Sequence, residues 1–172
     1  YARRLLPTPL SGRLTTEFLF EPSLSLGGDM LGYHWLDEHN LAFYVLDVAG
    51  HGVGAALHGV SVATFLRFQS RSTVLADPSA TLSALNQAFP SSQHGGNYFT
   101  IWYGVLNTAR AELSYAVAAH PGALLLSPDE EVTELGSEDT MIGVAPDATF
   151  ASYKTPMPPG STVIVFSDGA FE

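Results

Sequence analysis

The chain has 172 residues, 17 acidic against 7 basic for a formal net charge of −10, and no cysteine. A single domain of this length buries about 70% of the surface that its unfolded form exposes, and 46% hydrophobic residues supply a core, which excludes intrinsic disorder. The absence of cysteine excludes a disulfide scaffold, a thiolate nucleophile and sulfur-ligated zinc. One lysine and six scattered arginines make no basic stripe, which excludes nucleic acid as the partner. Charged residues make up 14%, against about 25% in soluble domains, which points to a surface partly covered by a partner or by further chain. Residues 48–66 carry no charge, but four glycines, His51, His58, Ser61 and Thr64 interrupt them, so they read as a turn and a buried helix without membrane insertion. Residues 1–7 lack the apolar run of a signal peptide, and the expectation is a cytoplasmic protein.

In chain order, the first predicted strand covers residues 16–21 and is followed by the Gly27-Gly28 turn. Residues 30–36 and 41–47 are two apolar runs joined by Asp37-Glu38-His39-Asn40, the pattern of a β-hairpin. With Leu36 and Leu41 flanking that turn, opposed residues sum to about 77, which sets Asp47 across from Met30 and beside Asp29. A helix over 55–68 follows. A second opens at Asp77-Pro78, an N-cap and a first-turn proline, carries Leu82, Leu85 and Phe89 at helical spacing, and ends before Pro90. Residues 90–97 read as a loop. Residues 99–106, 112–118, 123–126 and 131–135 then read as successive strands of a meander, and 162–166 as the last strand. Strands first, then helices, then strands again predict an α+β domain of antiparallel sheets with helices on a face.

Three aspartates stand at strand ends with glycine nearby, in Gly27-Gly28-Asp29, Asp47-Val48-Ala49-Gly50-His51-Gly52 and Phe166-Ser167-Asp168-Gly169. In the predicted hairpin Asp29 and Asp47 lie roughly 5–7 Å apart, and carboxylates that close must be protonated, hydrated apart or bridged by a cation. Oxygen ligands without cysteine suit Mg²⁺ or Mn²⁺. Aspartate is also common in turns, so position alone leaves a metal site and three ordinary turns both open. His51 between glycines reads as a general acid or as a residue that shapes the turn, and His120 before Pro121 as a structural turn residue. Gly50-x-Gly52-x-x-Ala55 imitates a dinucleotide fingerprint, but no acid stands about 20 residues further on. Phe99, Trp102 and Tyr103 read as core, and Asp129-Glu130-Glu131 as a solvated turn.

Taken together, Leu5-Leu6-Pro7, Gly27-Gly28-Asp29, the 47–52 motif, Ala119-His120-Pro121 and Phe166-Ser167-Asp168-Gly169 resemble, in order, the motifs of the bacterial SpoIIE-like branch of the PPM metal-dependent protein serine/threonine phosphatases. The resemblance implies an αββα sandwich of two antiparallel β-sheets with flanking helices. It implies two Mn²⁺ or Mg²⁺ ions, with Asp47 bridging them, the Val48 carbonyl on one, Asp168 on the other, and Asp29 joined to the cluster directly or through water. A water held between two such ions is acidic enough to attack a phosphate monoester at neutral pH, so no protein nucleophile is needed. Where the family often carries a further acid after its first motif this chain has Gly32, and a further metal-binding aspartate of the family would fall beyond Glu172.

The expected organisation is therefore the end of an N-terminal linker helix over 1–7 and a phosphatase domain over 8–172, incomplete at its C-terminus, with weak activity or none in this chain by itself. The expected partners are a phosphorylated protein substrate, such as an anti-sigma-factor antagonist in partner-switching control of a sigma factor, an N-terminal sensory or receiver module, and a second copy in a homodimer through residues 1–7. A catalytically inactive, phosphatase-like binding module and a structural domain with turn aspartates are the competing expectations.

Overall fold

The structure, a computed structural model, describes residues 6–21, 27–68 and 73–170. The strands are β1 (Met30–Trp35), β2 (Asn40–Val48), β3 (Phe99–Asn107), β4 (Glu112–Ala118), β5 (Ala123–Leu126), β6 (Val132–Leu135), β7 (Tyr153–Pro156) and β8 (Thr162–Ile164), and the helices are α1 (Val53–Phe68) and α2 (Pro78–Ala88). All strand pairs are antiparallel, in a five-stranded sheet ordered β1-β2-β3-β4-β7 and a three-stranded sheet ordered β6-β5-β8. α1 lies on β1 and β2, and α2 on β3 and β4, so among the described residues the helices cover one face of the larger sheet. No helix among them is long and apolar enough to cross a membrane.

Alternation along the strands builds two cores. Met30, Ala42, Tyr44, Leu46, Val48, Ile101 and Tyr103 face the helices and pack on Val62, Leu66, Leu82 and Leu85. Trp102, Leu113, Tyr115 and Val117 face the opposite way and pack on Ala123, Leu125 and Leu135 of the second sheet. The buried Trp102 indole donates from Nε1 to the Leu135 carbonyl at 2.9 Å, a polar tie between the sheets inside an apolar layer.

The hairpin register differs from the expected one by a residue. Met30 pairs with Leu46 and Trp35 with Leu41, a sum of 76, because the Asp37 carboxylate accepts from the His39 and Asn40 backbone N–H groups at 2.8 Å each and Leu36 N–H donates to the Asn40 carbonyl at 2.8 Å. Asn40 thereby joins the strand. Extended by one pair beyond Met30 and Leu46, this register sets Asp29 level with Asp47 instead of one step away.

Three further expectations change. Residues 16–21 form no strand; Leu19 is 85% exposed, and no described strand pairs with the segment, which leaves an alternating pattern nothing to bury against. The 99–135 strands are not one meander, since β4 and β5 belong to different sheets and the chain crosses between them at Ala119-His120-Pro121-Gly122. β7 was not foreseen. It is a four-residue edge strand that ends in a proline, and an edge strand is one of the few places a sheet tolerates proline. Of the expected linker helix, residues 1–5 lie outside the described residues, and Leu6 and Pro7 are not helical.

α2 starts as expected, with the Asp77 side chain accepting from Ala80 N–H. The loop from β2 to α1 turns on Gly50 and Gly52, with φ of 92° and 95°, a region that L side chains avoid. Behind it, α1 touches the chain leading into β1 backbone to backbone: a Cβ on Gly59 would stand 2.5 Å from the Gly28 carbonyl oxygen, and one on Gly28 would stand 2.6 Å from the Val48 Cβ. Gly59→Ala should therefore destabilise the domain by about 1–2 kcal/mol, overpacking outweighing the roughly 1 kcal/mol gain in helix propensity. Thermal unfolding reads the sign, and a higher melting temperature would show that this contact is slack.

Candidate functional site

The inter-sheet core stops short of one end of the sandwich, and there the two sheets part around a cleft of about 480 Å³ lined by Asp47, Thr100, His120, Ser137, Glu138, Asp139 and Asp168, with Ala119 and Pro121. Each arrives on a different piece of backbone. Asp47 and Thr100 are cross-strand partners on β2 and β3, on the same face as Trp102. His120 lies in the crossover from β4 to β5, residues 137–139 follow β6, and Asp168 follows β8 and opens a short 3-10 turn over Asp168–Ala170. Asp47 is thus delivered by the larger sheet and Asp168 by the smaller.

Val48 is buried against the helix side, one residue along from Asp47 and with its backbone against Gly28. Asp29 does not line the cleft, but its charge and that of Asp168 both reach His120. Burial pushes the His120 imidazole below its ordinary range, against a Pro121 carbonyl contact and the two aspartates, which push it up. His120 is 5% exposed. Its Nδ1 is 3.1 Å from the Pro121 carbonyl oxygen, and its Nε2 is buried with no hydrogen-bond partner. Asp139 is committed to its own loop, accepting from Ser137 Oγ at 3.0 Å and from Ala151 N–H at 3.3 Å.

Of the candidate residues, Asp47 and Asp168 share the cleft, with Asp29 at its flank. His51 does not line it; its side chain is exposed and its backbone bridges to Gly27. His120, read as a structural turn residue and far from the aspartates along the chain, is their neighbour in space, because the crossover between sheets ends at the cleft. The wall at Ser137, Glu138 and Asp139 was missed altogether; its only sequence signal is a polar run after a predicted strand.

Donor type and spacing give different answers on a metal. The cleft offers carboxylate oxygens without thiols, which fits hard divalent cations. Yet among the described residues no group of three His, Cys, Asp or Glu side chains stands close enough to hold an ion. Mg²⁺ and cations like it keep several waters and take one or two carboxylates each, so a pair of side chains with a backbone carbonyl meets the requirement.

Two antiparallel sheets stacked under a helical layer, with acids from both sheets at one open end, define the PP2C-type phosphatase class of fold. The profile of the family described as stage II sporulation protein E (SpoIIE) matches residues 37–172, and the chain belongs to that family, the SpoIIE-like branch of the PPM phosphatases. It is 27% identical over 157 residues to the phosphoserine phosphatase RsbP of Bacillus subtilis, covering 89% of this chain and 38% of RsbP. To the phosphoserine phosphatase RsbU of the same organism it is 26% identical, covering 88% and 44%. It therefore spans less than half the length of these relatives. Among solved structures, the RsbU and RsbW domains of Rv1364c from Mycobacterium tuberculosis superpose with a TM-score of 0.72 at 27% identity, over 85% of this chain and 40% of that one. The PP2C phosphatase domain of Bacillus subtilis SpoIIE gives 0.74 at 17%, over 85% and 41%, a likeness of fold alone.

Three partly or fully buried histidines bear on stability. Burial pushes His34, His58 and His120 down, with Arg67 adding to the effect at His34 and His94 at His58. Unfolding returns each to about 6.5, so below that pH the unfolded chain binds more protons and stability falls as pH falls. Metal-free unfolding at pH 7.5 and 5.5 should show that loss. His58→Phe, which keeps a ring against Phe89 and Phe99, should reduce it, and equal stability at both pH values would contradict the account.

Proposed function

We propose that the chain is the catalytic domain of a metal-dependent protein serine/threonine phosphatase that hydrolyses a phosphoserine or phosphothreonine monoester. The observation that carries the reading is the convergence of Asp47 and Asp168, from two different sheets, on one solvent-open cleft, in a chain whose relatives RsbP and RsbU are phosphoserine phosphatases. Asp47, the Val48 carbonyl and Asp168 would hold two Mn²⁺ or Mg²⁺ ions, with Asp29 joined directly or through water. When bound, such a pair supplies an acidified water and neutralises phosphate charge during in-line displacement.

The chain's own residues do the rest. Asp47, fixed between buried Leu46 and Val48, gives a carboxylate whose position does not depend on a loop. Asp168 opposes it from the other sheet. Bare, these carboxylates together with Glu138 repel a phosphate dianion; charged with cations, the same groups reverse the local field and admit it. The cleft opens to solvent, which suits a phosphoserine carried on the surface of another protein. By its family resemblance we take that protein to be a phosphorylated anti-sigma-factor antagonist in a partner-switching pathway, with a sensory or receiver module controlling the phosphatase domain.

Asp47→Asn should leave the fold intact and weaken Mn²⁺ binding beyond the roughly 10–100-fold that loss of an outer-shell partner costs. Mn²⁺-dependent hydrolysis of an aryl phosphate by the complete protein should disappear with it. Calorimetry that finds the same Mn²⁺ affinity in Asp47→Asn would overturn the ligand assignment.

A further inference from the structure

His120 has a feature that a turn histidine does not need. A carbonyl oxygen only accepts, so the 3.1 Å contact with Pro121 puts the ring proton on Nδ1, and the buried ring, held neutral, leaves Nε2 as a bare lone pair. That nitrogen is buried without a partner, in a ring that lines the cleft shared by Asp47 and Asp168 and that feels the charges of Asp168 and Asp29. Carboxylates line the same cleft, so a group that donates a hydrogen to this lone pair there has to carry positive charge beside it, which is what a hydrated cation does.

We propose that His120 is a positioning residue of the cation site, its Nε2 accepting a hydrogen bond from the hydration shell of the cation held by Asp47 and Asp168. The inference rests on the phosphatase reading above. His120 meets the hydration shell and not the ion, because no three of these side chains stand close enough to hold an ion directly, and Mg²⁺-like cations retain several waters. The Nδ1–H bond to a backbone carbonyl is the device by which proteins fix the tautomer and direction of a histidine at a metal site. Pro121, which follows His120 and carries the accepting carbonyl, stiffens that crossover.

The test is Mn²⁺ alone, titrated calorimetrically into the chain and its variants, with the metal-free melting temperature measured beside it. His120→Phe should weaken Mn²⁺ binding about 10–100-fold while the metal-free melting temperature holds or rises, since an apolar ring replaces an unsatisfied buried nitrogen. A purely structural histidine gives the reverse, a lower melting temperature at unchanged affinity. His120→Gln, which returns an acceptor near the place of Nε2, should recover part of the affinity, and His120→Asn, which reaches only as far as Nδ1, should not. Equal Mn²⁺ affinity in the Gln and Asn variants overturns the proposal even if the Phe variant fails to fold. Mn²⁺ binding that is lost in Asp47→Asn but unchanged in His120→Phe overturns this proposal and spares the phosphatase reading; no Mn²⁺ binding by the unsubstituted chain overturns both.

Discussion

Alternation along β2 is the constraint on which the site rests. Leu46 and Val48 are 0% and 1% exposed against the helices, and a strand sends successive side chains to opposite faces, so Asp47 between them has to face the second sheet. A register slip of one residue would exchange the faces and put the carboxylate into the helix-side core. The slip is prevented from both ends, by the Asp37 turn at one and by the Gly28 and Gly59 contact at the other. The glycines also bring the backbone before Asp29 against Val48, so the first and central acidic motifs meet because side chains are absent where the chains cross.

The second constraint is the inter-sheet layer. Trp102 stacks on Tyr115 with ring centroids 5.6 Å apart and bonds the Leu135 carbonyl, which fixes the smaller sheet against the larger one. β4, β5, β6 and β8 then all begin or end at the same edge of the sandwich, so the crossover, the loop after β6 and the Asp168 turn collect there. A cleft with acids on both walls follows from strand direction. In a chain of net charge −10 such a cleft repels phosphate until a cation occupies it, so metal and substrate binding are coupled in the proposed reaction.

Much of this was legible in the sequence. β4 and β5 fall on the expected residues, the Asp77-Pro78 start of α2 is a local signal with a local cause, and the hairpin was marked by its polar turn. The exact register was not, since it depends on whether Asn40 sits in the turn or the strand, which a side-chain bond of Asp37 decides. The 16–21 segment has the pattern of a strand but no strand partner among the described residues, and pattern cannot report a partner. β7 hid behind its brevity and its proline. His120 was read as a turn residue, and its place beside the aspartates was not legible: the chain changes sheets at that residue, and only the two-sheet topology brings it to them.

Anomalous diffraction from crystals grown with Mn²⁺ tests the central claim most directly. The account predicts density for at least one ion between Asp47 and Asp168, with carboxylate oxygens at about 2.0–2.2 Å, close to Mg²⁺ geometry. Mn²⁺ density confined to other acids, such as Asp129-Glu130-Glu131, with the Asp47 cleft holding none, would contradict it.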